Sequence, residues 1–248
     1  MNAVMKMNNM GAECLRTEKY AQALAIFKGA VQGMRALQRG EEMDETSEDS
    51  QANRFYQFAT SSIQEEQELE QQVQNLPQHA TTLHFKSFAI PSSSTASPVE
   101  NSTGATMVYR NVAIVDSVGQ SEEEHSRFSA ILFYNMALVY QTHGLLQGQN
   151  DSLSRSLDLY NMAKDLLFST VDDYEQDVGI YRLAMAILNN MGTILFDLSS
   201  FDKAIACFRQ VKVILKGCQQ NTRTCDPCNG LWLNSLVILE VPTHAPAA

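Results

Sequence analysis

The sequence is poor in basic residues and has no uninterrupted apolar run long enough to cross a membrane. Its 248 residues include 18 Lys and Arg against 28 Asp and Glu, which gives a formal net charge of −10. Nucleic acids and anionic membranes bind patches of Lys and Arg, so this charge balance argues against both kinds of partner. The N-terminal residues also lack the apolar stretch of a secretory signal.

The residue patterns of common enzymes are missing as well. The sequence has no phosphate-binding Gly-rich motif, no GxSxG and no HExxH, and its five histidines are scattered. Five cysteines are an odd number for a disulfide framework, and without a signal segment they predict reduced thiols in the cytosol or nucleus. We therefore expect a cytoplasmic or nuclear protein that is not an enzyme and has no metal or cofactor.

The acidic charge is concentrated in one segment. Residues 41–76 contain ten acidic residues and a single base, Arg54. The segment has few aliphatic residues, so it cannot bury enough area to offset the entropy lost on ordering. We interpret it as a solvated linker, and the alternative is a docking site for a basic partner.

A different composition follows the acidic segment. Residues 91–105, PSSSTASPVENSTGA, are typical of a low-complexity loop. The flanking stretches LHFKSFAI and MVYRNVAIV are aromatic and β-branched with partial alternation, which predicts two short strands that pair across this loop. Because two isolated strands are marginally stable in water, the pair must lie against another element.

An internal repeat is the clearest feature of the chain. Residues 8–31, NNMGAECLRTEKYAQALAIFKGAV, align without gaps on residues 189–212, NNMGTILFDLSSFDKAIACFRQVK. Both copies have a small residue, an aromatic, an Ala and a Phe at the same positions: Gly11, Tyr20, Ala23 and Phe27; Gly192, Phe201, Ala204 and Phe208. A third copy contains Asn135, Ala137, Ser156, Tyr160 and Ala163, with about seven inserted residues near LLQGQND between its two helices. The small residues let two helices approach closely, and the apolar stripes require each helix pair to stack on a neighbour.

This spacing resembles the tetratricopeptide repeat (TPR), with three divergent copies at about 4–37, 130–168 and 185–218. The resemblance implies an all-α fold of antiparallel helical hairpins, stacked as a short solenoid and interrupted by the acidic, partly disordered insert with its two strands. No copy has the closing Pro of the family, whose slot holds Arg35, Phe168 and Lys216. The small residues lie 126 and then 55 positions apart, where the family repeats at about 34, so the stacking of repeat 1 on repeat 2 stays open.

The predicted domain organisation follows from these copies. It consists of repeat 1 over 1–40, the insert over 41–120, repeat 2 over 121–170, repeat 3 over 171–218, and a capping helix and tail over 219–248. Gly217 is expected to end the last helix of repeat 3. The apolar stretch GLWLNSLVILEV is interpreted as the capping helix, anchored by Trp232, and a strand is the alternative because the stretch is rich in β-branched residues.

The helix boundaries of repeats 2 and 3 also have sequence signals. Ser121 and Glu124 form a capping box that begins the first helix of repeat 2, which is expected to end near His143. Its partner helix is expected to begin at Ser152 or Ser154. The first helix of repeat 3 is predicted from about 171 or 174 to 198.

The resemblance also implies a function, because TPR arrays bind peptides or partner proteins in a groove lined by the first helix of each hairpin. In each copy an asparagine occupies the same groove-facing slot: Asn9, Asn135 and Asn190. A side-chain amide has both a donor and an acceptor, so such a row can pair with the main chain of an extended peptide of any sequence. The neighbouring residues Asn8, Tyr134 and Asn189 are expected on the same surface. The alternative is that these amides satisfy backbone groups between helices.

One TPR specialisation, the carboxylate clamp of chaperone cofactors, is not supported. Its first repeat needs Lys and Asn, and this chain has Asn8 and Ala12 there. Asn135 fits the second repeat, but Ala186 and Asn190 stand where the third needs Lys and Arg. Without those cations the groove has no strong reason to bind a C-terminal carboxylate.

Two other functions remain as alternatives. Cys218, Cys225 and Cys228 form a cluster with one C-x-x-C, which a zinc-binding or redox-active thiol protein would use, although a loop joining two helices also explains it. Cys14 and Cys207 are expected to be small buried hydrophobic residues. The second alternative is that the array is a purely structural subunit of a larger assembly. Such a subunit would interact through its outer face.

Overall fold

The computed structural model describes residues 1–39, 82–87, 108–119, 121–169 and 178–221. This part of the chain is mostly helical, with six helices and one two-stranded sheet. The elements are α1 (Asn2–Arg16), α2 (Tyr20–Arg39), β1 (Thr82–Ser87), β2 (Asn111–Ser117), α3 (Glu122–Gln147), α4 (Asn150–Ser169), α5 (Val178–Asp197) and α6 (Phe201–Asn221). The chain divides into two compact units, which are residues Met1–Ile90 with Arg110–Asp172, and Pro91–Tyr109 with Asp173–Ala248.

The first unit contains two helical hairpins, α1–α2 and α3–α4, and α2 packs on α3. In α1 the residues Val4, Met7, Gly11 and Leu15 are buried, at the three- and four-residue spacing of an amphipathic helix. Because α2 packs on α3, the first hairpin packs directly on the second. The sequence alone left this point undecided. The second unit contains the hairpin α5–α6.

The small residues of the repeat allow close helix approach, as their spacing predicted. A Cβ atom placed on Gly11 would lie 2.7 Å from Cε1 of Phe27, and one placed on Gly192 would lie 2.6 Å from Cζ of Phe208. Both phenylalanine rings are fully buried. The Gly–Phe contact thus occurs at the same position in the first and third hairpins, in agreement with the gap-free alignment.

The turns within the three hairpins share one backbone geometry. The amide of Lys19 donates to the Cys14 carbonyl at 2.8 Å, and that of Ser200 donates to the Leu195 carbonyl at 2.8 Å. In the second hairpin the amide of Gln149 donates to the carbonyl five residues earlier at 2.9 Å. The residue before each donor has a positive φ: Glu18 at 64°, Gly148 at 63° and Ser199 at 59°. A left-handed residue of this kind satisfies the last carbonyls of a helix and reverses the chain.

The seven-residue insertion in the second hairpin was predicted to lie between the two helices. It does not form such a connecting segment. Helix α3 runs to Gln147 and α4 begins at Asn150. The numbering offset from the first hairpin rises from 126 at Asn9/Asn135 to 130 at Lys19/Gln149 and to 133 at Phe27/Tyr160. Steps of four and three residues are each about one helical turn, so the insertion lengthens both helices and keeps their packed faces in phase.

Several predicted boundaries are tested by the helix ends. Ser121 caps α3, because its hydroxyl accepts from the Glu124 amide at 3.2 Å, which confirms the predicted start of this helix and the Ser121 half of the capping box. The expectation that Gly217 ends the last helix is wrong, since α6 continues to Asn221. Gly217 is exposed, and among the described residues a Cβ added there meets no atom within 4 Å outside its own helix backbone and chain neighbours, so nothing described around it requires a glycine.

The two predicted strands pair as expected. β1 and β2 are antiparallel, with Leu83 opposite Val115 and Phe85 opposite Ala113. β2 packs against α1 and α3 in the first unit, and Val112, Ala113 and Val115 are fully buried. The helices therefore provide the apolar support that an isolated strand pair lacks.

Within the described residues, α5 is the one helix with the length and apolar composition of a membrane span. Of that window, 78% is buried inside the protein, as in a core helix, so the composition is weak evidence for a membrane. The acidic segment 41–76, the low-complexity loop 91–105 and the apolar stretch around Trp232 lie outside the described residues.

Candidate functional site

The candidate site of the first unit is formed by polar side chains of α1 and α3 along β2. In a strand the N–H and C=O of one residue point to the same edge, and those of the next residue point to the opposite edge. The amides of Ala113 and Val115 donate to asparagine side chains of α3 and α1, so the backbone groups of these two residues face the helices. The backbone groups of Val112 and Ile114 therefore face the opposite edge, where β1 pairs with β2.

Asn135 pairs with both backbone groups of Ala113. The Ala113 amide donates to Oδ1 of Asn135 at 2.8 Å, and Nδ2 of Asn135 donates to the Ala113 carbonyl at 2.7 Å. Both residues are fully buried. The side-chain amide thus makes the two bonds that a residue of a neighbouring strand would make.

Asn9 repeats this pairing two residues further along β2. The Val115 amide donates to Oδ1 of Asn9 at 3.0 Å, and Nδ2 of Asn9 donates to the Val115 carbonyl at 2.6 Å. At the other end the Tyr134 hydroxyl donates to the Asn111 carbonyl at 2.7 Å. Three alternate residues of β2 are therefore bound through their main chain.

Asn8 joins the two asparagine pairs into one network. Its Nδ2 donates to Oδ1 of Asn9 at 3.1 Å and to the Ala113 carbonyl at 3.2 Å, while its Oδ1 accepts from Nδ2 of Asn135 at 2.9 Å. Both amide hydrogens of Asn8 and of Asn135 are used, so these fully buried side chains are satisfied. We name Asn8, Asn9, Tyr134 and Asn135 the amide row of the first unit.

The second unit contains the same pairing. The Tyr109 amide donates to Oδ1 of Asn190 at 2.8 Å, and Nδ2 of Asn190 donates to the Tyr109 carbonyl at 3.0 Å. Asn189 donates from Nδ2 to Oδ1 of Asn190 at 3.1 Å, as Asn8 does to Asn9 in the first unit. Both asparagines are fully buried.

All six sequence-predicted site residues therefore hydrogen-bond a main chain or one another. The main chain that they bind belongs to this protein, namely residues 109–115 of the insert. The alternative was that the amides bond to backbone groups between helices, but the backbone atoms that they bond here belong to β2 and to Tyr109, which precedes it. Sequence reasoning identified both the amides and the strand but did not connect them.

The amide row of the first unit contains no ionisable group that is charged at neutral pH. Amides and a phenol hydroxyl make all of its contacts with β2, so salt will screen little of its binding energy. Its hydrogen bonds instead depend on burial, since Asn8, Tyr134 and Asn135 are inaccessible to solvent.

A half-buried cation lies beside the start of β2. Burial lowers the pKa of the Arg110 guanidinium, and the neighbouring Tyr20 opposes that change. Burial also raises the pKa of the Tyr20 hydroxyl, and Glu18 adds to this rise. Arg110 precedes the strand residues that the amides bind, so it adds a positive charge at that end of the site.

The described residues give little support to the alternatives of a zinc-binding or redox-active thiol protein. Among them no group of three or more His, Cys, Asp or Glu is placed to hold a metal ion. Cys207 is buried, as predicted, whereas Cys14 is only half-buried, so the expectation of a buried Cys14 is not met. Burial raises the pKa of the Cys14 thiol, which keeps it in the less reactive protonated form. Cys225, Cys228 and the side chain of Cys218 lie outside the described part.

Comparison with known proteins adds no family assignment. No family model, no curated protein and no solved structure matches this chain.

Proposed function

We propose that this protein is a non-catalytic protein–protein interaction module built from TPR-like helical hairpins. Its partner is a peptide or protein segment in extended conformation, bound through its main chain. The shared turn geometry and the repeated Gly–Phe contact support an origin of the hairpins as divergent repeats.

One observation carries the proposal. Asn9 and Asn135 each pair with both the N–H and the C=O of a strand residue, at distances of 2.6–3.0 Å. Such an amide binds any extended segment that presents a free N–H and C=O on one edge, independently of side-chain identity. In this structure the partners of these amides are the backbone groups of Ala113 and Val115, which shows that the two amides can bind an extended main chain.

The proposal is tested by panning the full-length chain against a display library of random ten-residue peptides. Wild-type protein and the Val115→Pro variant are used in parallel, and the Kd of enriched peptides is measured by fluorescence anisotropy. We expect Asn135→Ala to weaken binding about tenfold or more, since two hydrogen bonds are lost.

The matched control is Asn161→Ala on α4. The Asn161 amide donates to the Leu157 carbonyl of its own helix at 3.0 Å, so its loss should leave peptide affinity unchanged. Circular dichroism establishes that each variant is folded. The proposed function is contradicted when neither form of the protein enriches a peptide whose binding depends on Asn135.

A further inference from the structure

We infer that β2 is a resident ligand of the amide row, and that a partner strand binds there by displacing β2. This inference rests on the proposed function and specifies how its site is regulated and what it selects. Residues 111–115 already bind the row through main-chain groups, which any extended segment possesses.

The amide row cannot be left empty at low cost. Asn8 and Asn135 are fully buried, and their amide hydrogens are all used: those of Asn8 on the Ala113 carbonyl and Asn9, and those of Asn135 on the Ala113 carbonyl and Asn8. Each buried polar group that loses its partner costs about 1–3 kcal/mol until water or another group replaces it. An incoming main chain that makes the same bonds removes this cost, so exchange of one strand for another is favoured over simple release of β2.

The attachment of β2 to the chain makes it a strong competitor. Only residues 118–121 separate β2 from α3, so the strand is held near the row at a high effective concentration. A separate peptide with the same contacts meets a site that is open for only a small fraction of the time, and its apparent Kd rises in proportion. The wild-type protein should therefore bind such a peptide much more weakly than a protein with a weakened β2.

The contacts also define what the partner segment must contain. Two residues at positions i and i+2 need a free N–H, as Ala113 and Val115 have, so neither can be proline. Their side chains are fully buried, which favours a small residue followed by an aliphatic one. Ile114, which lies between them, is half-exposed, and Asp116, which follows them, is exposed. The corresponding positions of the partner segment should therefore tolerate polar side chains.

The experiment uses a labelled synthetic peptide of residues 108–117, VYRNVAIVDS, added to the full-length protein. Val115→Pro removes the N–H that donates to Asn9 and so weakens the resident strand. The matched variant is Ile114→Pro, which removes an N–H on the β1 edge and leaves the pairs with Asn9 and Asn135 in place. We expect the peptide to bind Val115→Pro at least about tenfold more tightly than wild type, and more tightly than Ile114→Pro.

N-methylated peptides test which edge of the incoming strand is read. Methylation of the Ala113 or Val115 nitrogen should weaken binding about tenfold, and methylation of the Ile114 nitrogen should change it much less. In the unmodified wild-type chain, saturating peptide should accelerate hydrogen exchange at the resident Ala113 and Val115 amides. This last measurement does not depend on the folding of a proline variant.

The possible failures are distinguishable. The resident-ligand inference is overturned when the peptide binds wild type and Val115→Pro equally, or when the three methylated peptides bind alike. It is also overturned when saturating peptide leaves exchange at the Ala113 and Val115 amides unchanged. Those results leave intact any Asn135-dependent binding found by panning, whereas a complete lack of such binding refutes the proposed function as well.

Discussion

Asn135 donates a hydrogen bond from Nδ2 to Oδ1 of Asn8 at 2.9 Å, which joins the second hairpin to the first. The two residues also donate to one acceptor, the Ala113 carbonyl, at 2.7 and 3.2 Å. Packing of the two hairpins and binding of β2 therefore share one set of polar groups. Because the set is buried, a change in any member should affect both the strand and the hairpin interface.

Asn135→Ala tests this coupling through stability. The substitution leaves the Ala113 amide and the Asn8 Oδ1 atom without their observed partner, and both lie in the core. We expect the free energy of unfolding to fall by about 2–4 kcal/mol, because each buried group left unsatisfied costs about 1–3 kcal/mol. Urea denaturation of the full chain measures the change.

Asn161→Ala provides the reference for that measurement. Asn161 is half-buried and bonds within α4, so its removal should change stability by less than about 0.5 kcal/mol. Equal effects of the two substitutions would mean that the bonds from Asn135 to the strand contribute nothing.

The chemistry of the amide row was predictable from the sequence, but its occupant was not. Asn9 and Asn135 recur at one position of the sequence repeat, and a side-chain amide at a position expected to face a groove predicted main-chain binding. The stretch from Val112 to Val115 is β-branched and apolar, which predicts a strand. Asn9 lies 106 residues from Val115 and Asn135 lies 22 residues from Ala113, so which strand meets which helix depends on tertiary packing that neither local pattern encodes.

The incorrect expectations have local physical reasons. A glycine near the end of an apolar pattern often stops a helix, but Gly217 costs only about 1 kcal/mol relative to alanine inside α6, and the helix continues through it. The insertion in the second hairpin appeared to interrupt the helices because its turn residue, Gly148, lies within a polar stretch. Its length of about two turns lets the helices absorb it without a change of face.

The glycine positions make a second prediction with an internal control. Gly11→Ala and Gly192→Ala place a Cβ 2.7 and 2.6 Å from buried phenylalanine rings, so a ring or a helix must move. Overpacking of this kind costs about 1–3 kcal/mol, which exceeds the gain of up to about 1 kcal/mol from helix propensity. We expect both variants to be less stable in urea denaturation.

Gly217→Ala has the propensity gain without the clash, since in the described part of the chain its added Cβ meets nothing within 4 Å beyond its own helix backbone and chain neighbours. It should therefore stabilise the protein by about 0.5–1 kcal/mol. A stabilised Gly11→Ala variant would show that the contact with Phe27 relaxes at little cost.

The hairpin turns make a third prediction. Glu18 has a φ of 64°, a conformation that costs a non-glycine residue about 1 kcal/mol or more, whereas Gly148 occupies the same conformation at 63°. Glu18→Gly should therefore raise the free energy of unfolding by up to about 1 kcal/mol. Gly148→Ala should lower it by a similar amount, because no other described side chain or backbone group lies within 4 Å of the added Cβ and the backbone conformation is the main source of cost. Thermal or urea unfolding that moves in the same direction for both variants would contradict the shared turn geometry.

Tyr20 predicts how stability changes at alkaline pH. Burial raises the pKa of its hydroxyl above the ordinary value near 10, so the folded protein holds this proton more tightly than the unfolded chain does. Its contribution to stability is fully present below the unfolded pKa and is lost as the pH rises through the folded pKa.

Among the described residues the Tyr20 hydroxyl has no hydrogen-bond partner, so Tyr20→Phe should not destabilise the protein at pH 7. Between about pH 9 and 11 the variant should lose less stability than the wild type does. Burial also raises the pKa of the Cys14 thiol, so ionisation of this thiol should still destabilise both proteins in this range. Urea midpoints measured across this pH range test the prediction, and parallel curves for the two proteins would contradict it.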